Sequence, residues 1–500
     1  MIKMICLILS FTQLTFLPLL ANTPKDMDLP ATDYNWIKKE EMPELIKMAS
    51  QRRKDRKVAN VINEKTQMSD KYREFRDKFI TLTTSEQVAE ALDKLNNEYH
   101  TYPNDLKFIA AHLIPLKTFR GITWRLIPLV EKQNITHSML LTQTKKMAAQ
   151  MKVYFPDTKH MEASFSYVTE PFMVTNKEGQ VELAPRIHDD VEFQLFLTRE
   201  VYPALQEKAK RLKNLNFSSQ EILWDNKIIY GTESFVDDLD RFKILGEADR
   251  HFALSNTHQG LSFLSFICGY SLKNLFSYIK EQGKLYGVDG FGWGTVVGID
   301  DVDGVSSYKK VKIAERKEFS ELFTLHTEGK LRTMQALVHL KESIYQLKLV
   351  WEEIKDRPSN EFAFLNPGKI TPWKRVVEAD LDSMMALVEG PTELTSAVDK
   401  KTVQVDLPRL FNDPEPDLKK LLPILWETHE GKEKTKTFSN GEKTPYTNYY
   451  WGRPKLWNKK IYQKYFLNLK NGADVKNKLR ILSQAFGGST IANPISHFSE

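Results

Sequence analysis

Apolar positions step by three and four along most of this chain, so helices are the first expectation. Tyr72, Phe75, Phe79 and Leu82 share one helix face. Thr84 opens a second helix with Gln87 three residues on as a capping box, and Val88, Ala91, Leu92 and Leu95 continue the stripe. "DLKFIAAHLIPL" predicts another that ends near Pro115. "DDVEFQLFLTREVYPALQEKAKRL" predicts one capped by Asp189 or Asp190. Leu254 to Ile279 reads as an apolar helix pair around Gly260. The clearest helix carries Leu337, Leu340, Ile344, Leu347, Trp351 and Ile354 and stops before Pro358. "QRRKDRKVANVINEK", mostly charged, reads as an exposed helix.

The helical period breaks in several places. "PFMVTNKEGQVELAP" reads as two short strands turning at Lys177-Glu178-Gly179. "TVQVDL" alternates like a strand, ahead of a short helix from Leu418 to Trp426 kinked at Pro423. Near the end come "PYTNYYWGRPKLW", a basic helix around 459–470, and the helical "KLRILSQAF". No self-similar period of 20 to 50 residues recurs, so a regular solenoid is not expected. The pattern predicts a mainly α fold: two irregular helical lobes, a few short β-strands or hairpins, and a basic aromatic C-terminal segment. The expected divisions are a signal peptide over 1–21, an N-terminal helical lobe over 22–283 with its hairpin near 170–184, and a Gly-rich connecting region over 284–327. A second helical lobe over 328–431 and the C-terminal segment over 432–500 complete the chain.

The opening "MIKMICLILSFTQLTFLPLLANTPK" has Lys3, an apolar core, and Leu19 and Ala21 at the −3 and −1 positions before Asn22, the pattern of a cleaved secretory signal. Export to a periplasm or the medium is therefore expected. "GLSFLSFICGYSLKNLFSYI" is the nearest thing to a membrane span in the mature chain, but Lys273 and Asn274 interrupt it, so it reads as a buried helix. Beyond the leader, Cys268 is the lone cysteine, which rules out an intrachain disulfide. Its aromatic and aliphatic neighbours predict a buried structural thiol.

Seven of the 22 glycines lie between Gly283 and Gly304. Gly298 is followed by Ile299, Asp300 and Asp301, not by the Lys-Ser/Thr pair of a phosphate loop. Gly292, Gly294 and Gly298 miss the dinucleotide spacing by one residue. A calcium loop centred on Gly304 would put Ile299 and Lys310 at ligand positions, where neither serves. The stretch reads as a structural glycine loop joining the lobes. His188 with Glu192, His339 with Glu342, and His251 with His258 fall at helix-face spacings, but none gathers the three or four ligands of zinc. No metal and no cofactor is expected. Glu233, Asp237, Asp238, Asp240, Glu247 and Asp249 form an acidic stretch that would suit a glycosidase pair only if two of them met across a cleft.

Charge changes the picture at the C-terminal end. Between Lys432 and Arg480, 13 Lys/Arg face three acids, a net +10 in a chain whose formal total is +6. Within this stretch the rings of Tyr446, Tyr449, Tyr450, Trp451 and Trp457 alternate with Arg453, Lys455, Lys459, Lys460 and Lys464. Rings with polar tips beside ammonium groups suit an anionic polymer, a membrane surface or an acidic protein. Nucleic acid is a poor partner for an exported protein. The expected function is thus an exported, non-enzymatic binding or scaffold protein acting through these ten residues. The alternative is a secreted hydrolase of glycan or peptide with an acidic cleft between lobes.

Overall fold

The computed structural model describes residues 37–55, 62, 64–131, 159–176, 178–215, 217, 221–230, 238–278, 317–366, 374–396, 398–421, 425–427, 432–437, 443–448 and 453–485. Residues 1–21, expected as a signal peptide, the glycines of 283–304, Glu233 and Asp237 lie outside them. The described residues are mainly helical, with five two-stranded antiparallel sheets. No helix among them is long and apolar enough to cross a membrane.

The first half builds one large core. Helix α1 (Met42–Asp55) precedes α2 (Asp70–Phe79), capped by Ser69, whose Oγ accepts from the Tyr72 amide at 3.2 Å. Helix α3 (Ser85–Asn97) starts as expected: Thr84 Oγ1 accepts from the Gln87 amide at 3.3 Å, and Gln87 Oε1 accepts from the Thr83 amide at 2.9 Å. Then come α4 (Asn104–Leu113) and α5 (Lys159–Thr169). The hairpin β1 (Met173–Thr175) and β2 (Val181–Leu183) turns where the glycine permits it, Gly179 taking φ +81°. Asp189 caps α6 (Asp190–Phe196), which continues through one wide turn, Leu197–Val201, into α7 (Tyr202–Lys213). A second hairpin pairs β3 (Ile222–Asp225) with β4 (Phe242–Leu245). Tyr72, Phe79, Leu106, Ile109, Tyr202, Leu205 and Phe242 fill this core.

Two long helices then run through the middle of the molecule. Helix α8 (Glu247–Ile267) passes through Gly260 without a break, where a helix pair was expected. Gly260 is packing, not punctuation: a Cβ there would already sit 3.3 Å from Leu205 Cδ1 of α7. Helix α9 (Gly329–Ile354) is the one predicted from 337–354, extended by two turns at its start. These two helices contact each other more extensively than any other pair of described elements.

Smaller cores hang on α9. Its Ile344 joins α10 (Lys374–Glu389), the hairpin β5 (Thr392–Thr395) with β6 (Thr402–Val405), and the chain end in one cluster. Helix α11 (Leu407–Asn412) packs Phe411 on Ala336 and Leu337. The charged stretch at 51–55 is helical, as expected, but its arginines are half-buried: Arg52 Nε reaches buried Glu353 at 2.6 Å and Arg53 bonds the Glu352 carbonyl at 3.2 Å. Arg357 holds the other oxygen of Glu353 at 3.0 Å, so α1 is docked by an Arg–Glu–Arg triad. A buried carboxylate stripped of one such partner is costly, which fixes where α1 lies.

The last hundred residues depart furthest from expectation. Instead of a kinked helix over 418–426, one tight turn at Leu418–Leu421 precedes strand β7 (Leu425–Glu427). Strands β8 (Lys432–Thr437) and β9 (Lys443–Asn448) form a ribbon, and β10 (Arg453–Leu456) returns to pair with β7. The basic helix of 459–470 is a single turn, α12 (Lys459–Tyr462). It cannot continue because Phe466 bridges to Val405 and the Leu467 amide bonds the Gln404 carbonyl at 3.1 Å, committing this backbone to β6. Helix α13 (Asp474–Gln484) closes the described chain.

Where α8 and α9 meet tightest, glycine is obligatory. A Cβ on Gly329 would lie 2.1 Å from the Gly269 carbonyl oxygen, a backbone atom with nowhere to go. Gly329→Ala should therefore lower stability by about 3 kcal/mol. Gly390→Ala, with nothing within 4 Å of the new methyl, should stay within about 0.5 kcal/mol of the parent. Urea unfolding of both variants checks the contrast.

Candidate functional site

The C-terminal tract divides into a sealed part and an outward part. Trp457 is 6% exposed, packed with Tyr462, Phe466 and Leu469 against Met384, Leu387 and Val388 of α10. The expectation that its ring serves a surface therefore gives way to a core role. Burial pushes the Tyr462 and Tyr465 phenols well up, so both stay neutral. Lys464 is half-buried and spends its charge inside the molecule, 3.5 Å from Glu415 and 4.0 Å from Asp413.

Lys459 and Lys460 are exposed on α12, whose start Asn458 caps through its bond from the Lys460 amide at 3.1 Å. Arg453 and Lys455 belong to β10, where Arg453 stands opposite Glu427 in the β7 register. Tyr446 lies on β9 directly opposite Lys434. Tyr449, Tyr450 and Trp451 lie outside the described residues. In the ribbon, Lys432, Lys434 and Lys436 occupy alternate positions of β8, with Asn448, Tyr446 and Thr444 as their register partners on β9. Among the described residues no further strand pairs with this ribbon.

A second polar constellation is buried. The antiparallel helices α8 and α9 meet through a ladder of hydrogen bonds spaced one turn apart. His251 Nδ1 donates to Gln346 Oε1 at 2.5 Å, and the hydroxyls of Ser255 and Ser343 meet at 2.9 Å. His258 Nδ1 lies 3.2 Å from His339 Nδ1, and Ser262 Oγ donates to the Ala336 carbonyl at 2.7 Å. Gly269 and Gly329 close the ladder. From α7 the Tyr202 hydroxyl reaches His339 Nε2 at 3.0 Å.

Burial lowers the imidazole of His339 to about 3 and that of His258 well below its ordinary value, the latter helped by His339 and Lys213. Both are neutral at pH 7, and their facing nitrogens share one proton. Glu342, the helix-face companion of His339 in the sequence, goes elsewhere: its carboxylate accepts from Gln346 at 2.8 Å and from the Ile37 amide at 2.8 Å. Burial raises its pKa.

The sequence flags His251, His258 and His339 separately. It misses the ladder, because each rung joins residues 74 to 95 positions apart. The available signal is the three-and-four stepping of His251, Ser255, His258, Ser262 and Gly269, small or polar throughout.

Among the described residues no three His, Cys, Asp or Glu side chains gather around a common metal position. His188 offers its backbone amide, not its ring, to Glu192, at 2.6 Å. Cys268 is a free buried thiol, pushed up by burial to about 12, as its neighbours predicted. Of the acidic stretch, Glu247 is clamped by Arg250 at 2.9 Å and lies 3.4 Å from His251. Burial alone would raise its carboxyl, but those hydrogen bonds hold it well below the usual carboxylate range. Asp249 accepts from the Gly246 amide at 2.7 Å and so starts α8. Both of these acids are engaged in building the helix, while Asp238 and Asp240 belong to the separate turn Asp238–Arg241. Comparison with protein-family models, with curated proteins and with solved structures found no match.

The ladder makes a pairwise prediction. Ser255 and Ser343 are fully buried, so removing one hydroxyl leaves the other unsatisfied. Ser255→Ala alone should cost about 1–3 kcal/mol, while Ser255→Ala with Ser343→Ala together should cost no more than the single change. A double-mutant cycle by chemical denaturation reads the difference.

Proposed function

We propose that this is an exported binding or scaffold protein that holds a linear anionic polymer along the β8–β9 ribbon. The observation that carries the reading is the place of Lys432, Lys434 and Lys436 at alternate positions of β8. Residues two apart on a strand are about 7 Å apart, so three lysine positions recur at regular intervals over about 14 Å of backbone. A straight row of like charges complements a chain with repeating negative groups better than it complements a point charge. Tyr446, the register partner of the middle lysine, contributes a residue type with an apolar ring and a polar tip.

Export rests on the apolar N-terminal leader, with the chain's single buried cysteine beyond it needing no partner in an oxidising compartment. Lys459 and Lys460, exposed on α12, extend the positive field on the body. Lys464 is excluded from the contact because Asp413 and Glu415 occupy it. Trp457 is excluded because it is core.

Three phosphate- or carboxylate-type contacts on a flexible chain give a slope of about −2 in log K against log salt. Binding of the full chain to polyphosphate and to heparin, followed by fluorescence anisotropy between 50 and 200 mM salt, should show that slope. Lys432→Glu with Lys434→Glu and Lys436→Glu should abolish binding without changing the thermal midpoint. Equal binding by the triple variant at 50 mM salt rejects the reading. Binding to anionic vesicles but to neither soluble polymer transfers the partner to a membrane surface.

A further inference from the structure

We propose that the His258–His339 pair is an acid-operated latch whose protonation parts α8 from α9. The two rings meet at the middle of the ladder, 0% and 2% exposed, with facing nitrogens 3.2 Å apart. One proton between them makes a hydrogen bond; a second makes two like charges in contact inside a protein, where burial weakens screening by solvent. The groups around the pair do not relieve that charge. Tyr202 of α7 offers a phenol, and Lys213 at the end of α7 adds a further positive charge acting on His258. On α9, Glu342 is one turn from His339 and already holds Gln346 and the Ile37 amide. On α8, His251 is tied to Gln346 and lies beside Glu247. Ser255–Ser343 and Ser262–Ala336 flank the pair on either side with uncharged bonds.

The ladder makes the consequence specific to this contact. Helix α8 is built into the large N-terminal core through Leu254, Leu261 and Leu264, whereas α9 carries the cluster of α10, β5, β6 and the chain end through Ile344. The two helices also share an apolar cluster, Ala248 and Phe252 of α8 with Leu347, Val350, Trp351 and Ile354 of α9, so breaking the polar seam loosens their contact at its middle while the apolar cores persist.

The direction of the pH effect follows from linkage. Both rings bind their protons less readily in the folded chain than in the open one, so the closed state is fully favoured above about pH 6.5 and loses ground as pH falls. Each ring weakens it tenfold per pH unit in that window, and the pair a hundredfold. Buried His112 and His160 add in the same sense. Asp190 and Asp380, raised by burial to about 6, act in the opposite sense once the pH is below that value.

The test is an acid titration of the full chain, with near-ultraviolet circular dichroism reporting tertiary packing and far-ultraviolet reporting helix. Tertiary signal should fall cooperatively between about pH 6 and 3 while helix persists, and should return at pH 7. The double variant His258→Asn, His339→Asn should move that midpoint down by about one unit. An unmoved midpoint, or a loss that does not reverse, overturns the proposal. Because the variant can fail to fold, the wild type supplies an independent reading through its histidine Cε1 resonances. The two rings should take up protons together with the loss of tertiary signal. Either ring titrating near 6.5 in an intact fold overturns the latch.

Discussion

Two helices that meet through hydrogen bonds can be aligned in only one way. Between α8 and α9, His251 needs Gln346, Ser255 needs Ser343, and His258 needs His339. A slip of one turn would orphan every one of them inside the protein, at about 1–3 kcal/mol each. The bonds themselves contribute only about 1 kcal/mol apiece, less than buried leucines at the same positions would. The seam thus gives up stability and gains a unique register, the role a buried polar residue plays in coiled coils. Small side chains bring the axes close, and the approach ends where Gly329 meets the Gly269 carbonyl.

Much of the remaining architecture is referred to α9. At 26 residues it is about 39 Å long and is covered over most of its surface. Arg52 fixes α1 to it through Glu353, Tyr345 bonds Glu389 of α10, and Lys348 reaches Asp382 at 2.7 Å. Its apolar stripe and its polar stripe lie side by side, displaced by one residue: Leu337, Leu340, Ile344 and Leu347 next to Ala336, His339, Ser343 and Gln346. The first packs into the smaller cores, two of which also take in Ala248, Phe252 and Phe266 of α8, and the second makes the hydrogen bonds to α8. A helix with two different partners needs two different stripes.

The C-terminal tract shows the same economy of surface. Its rings and its charges do not act as one unit. Where the backbone is claimed by β6 and α10, Trp457, Tyr462, Tyr465 and Phe466 turn inward and Lys464 is neutralised. Where the chain forms a two-stranded ribbon, lysines take alternate positions of one strand. A positive sequence composition is compatible with both outcomes, and the strand pairings separate them.

Local rules were enough for the helix of Leu337 to Ile354, the caps at Thr84 and Asp189, the hairpin at Gly179, the strand of "TVQVDL" and the buried state of Cys268. Each of these depends on residues within a few positions of one another, so the amino-acid order contains the whole cause. The continuous course of α8 through Gly260, the strand at Leu425–Glu427 and the single turn at Lys459–Tyr462 were not legible, because Leu205, β10 and β6 impose them from far along the chain. The histidines stood in plain view, yet nothing nearby distinguishes a surface imidazole from a buried one. That distinction is made by burial and by a partner 81 residues away, and a hydrogen bond across such a separation exists only once the chain has folded.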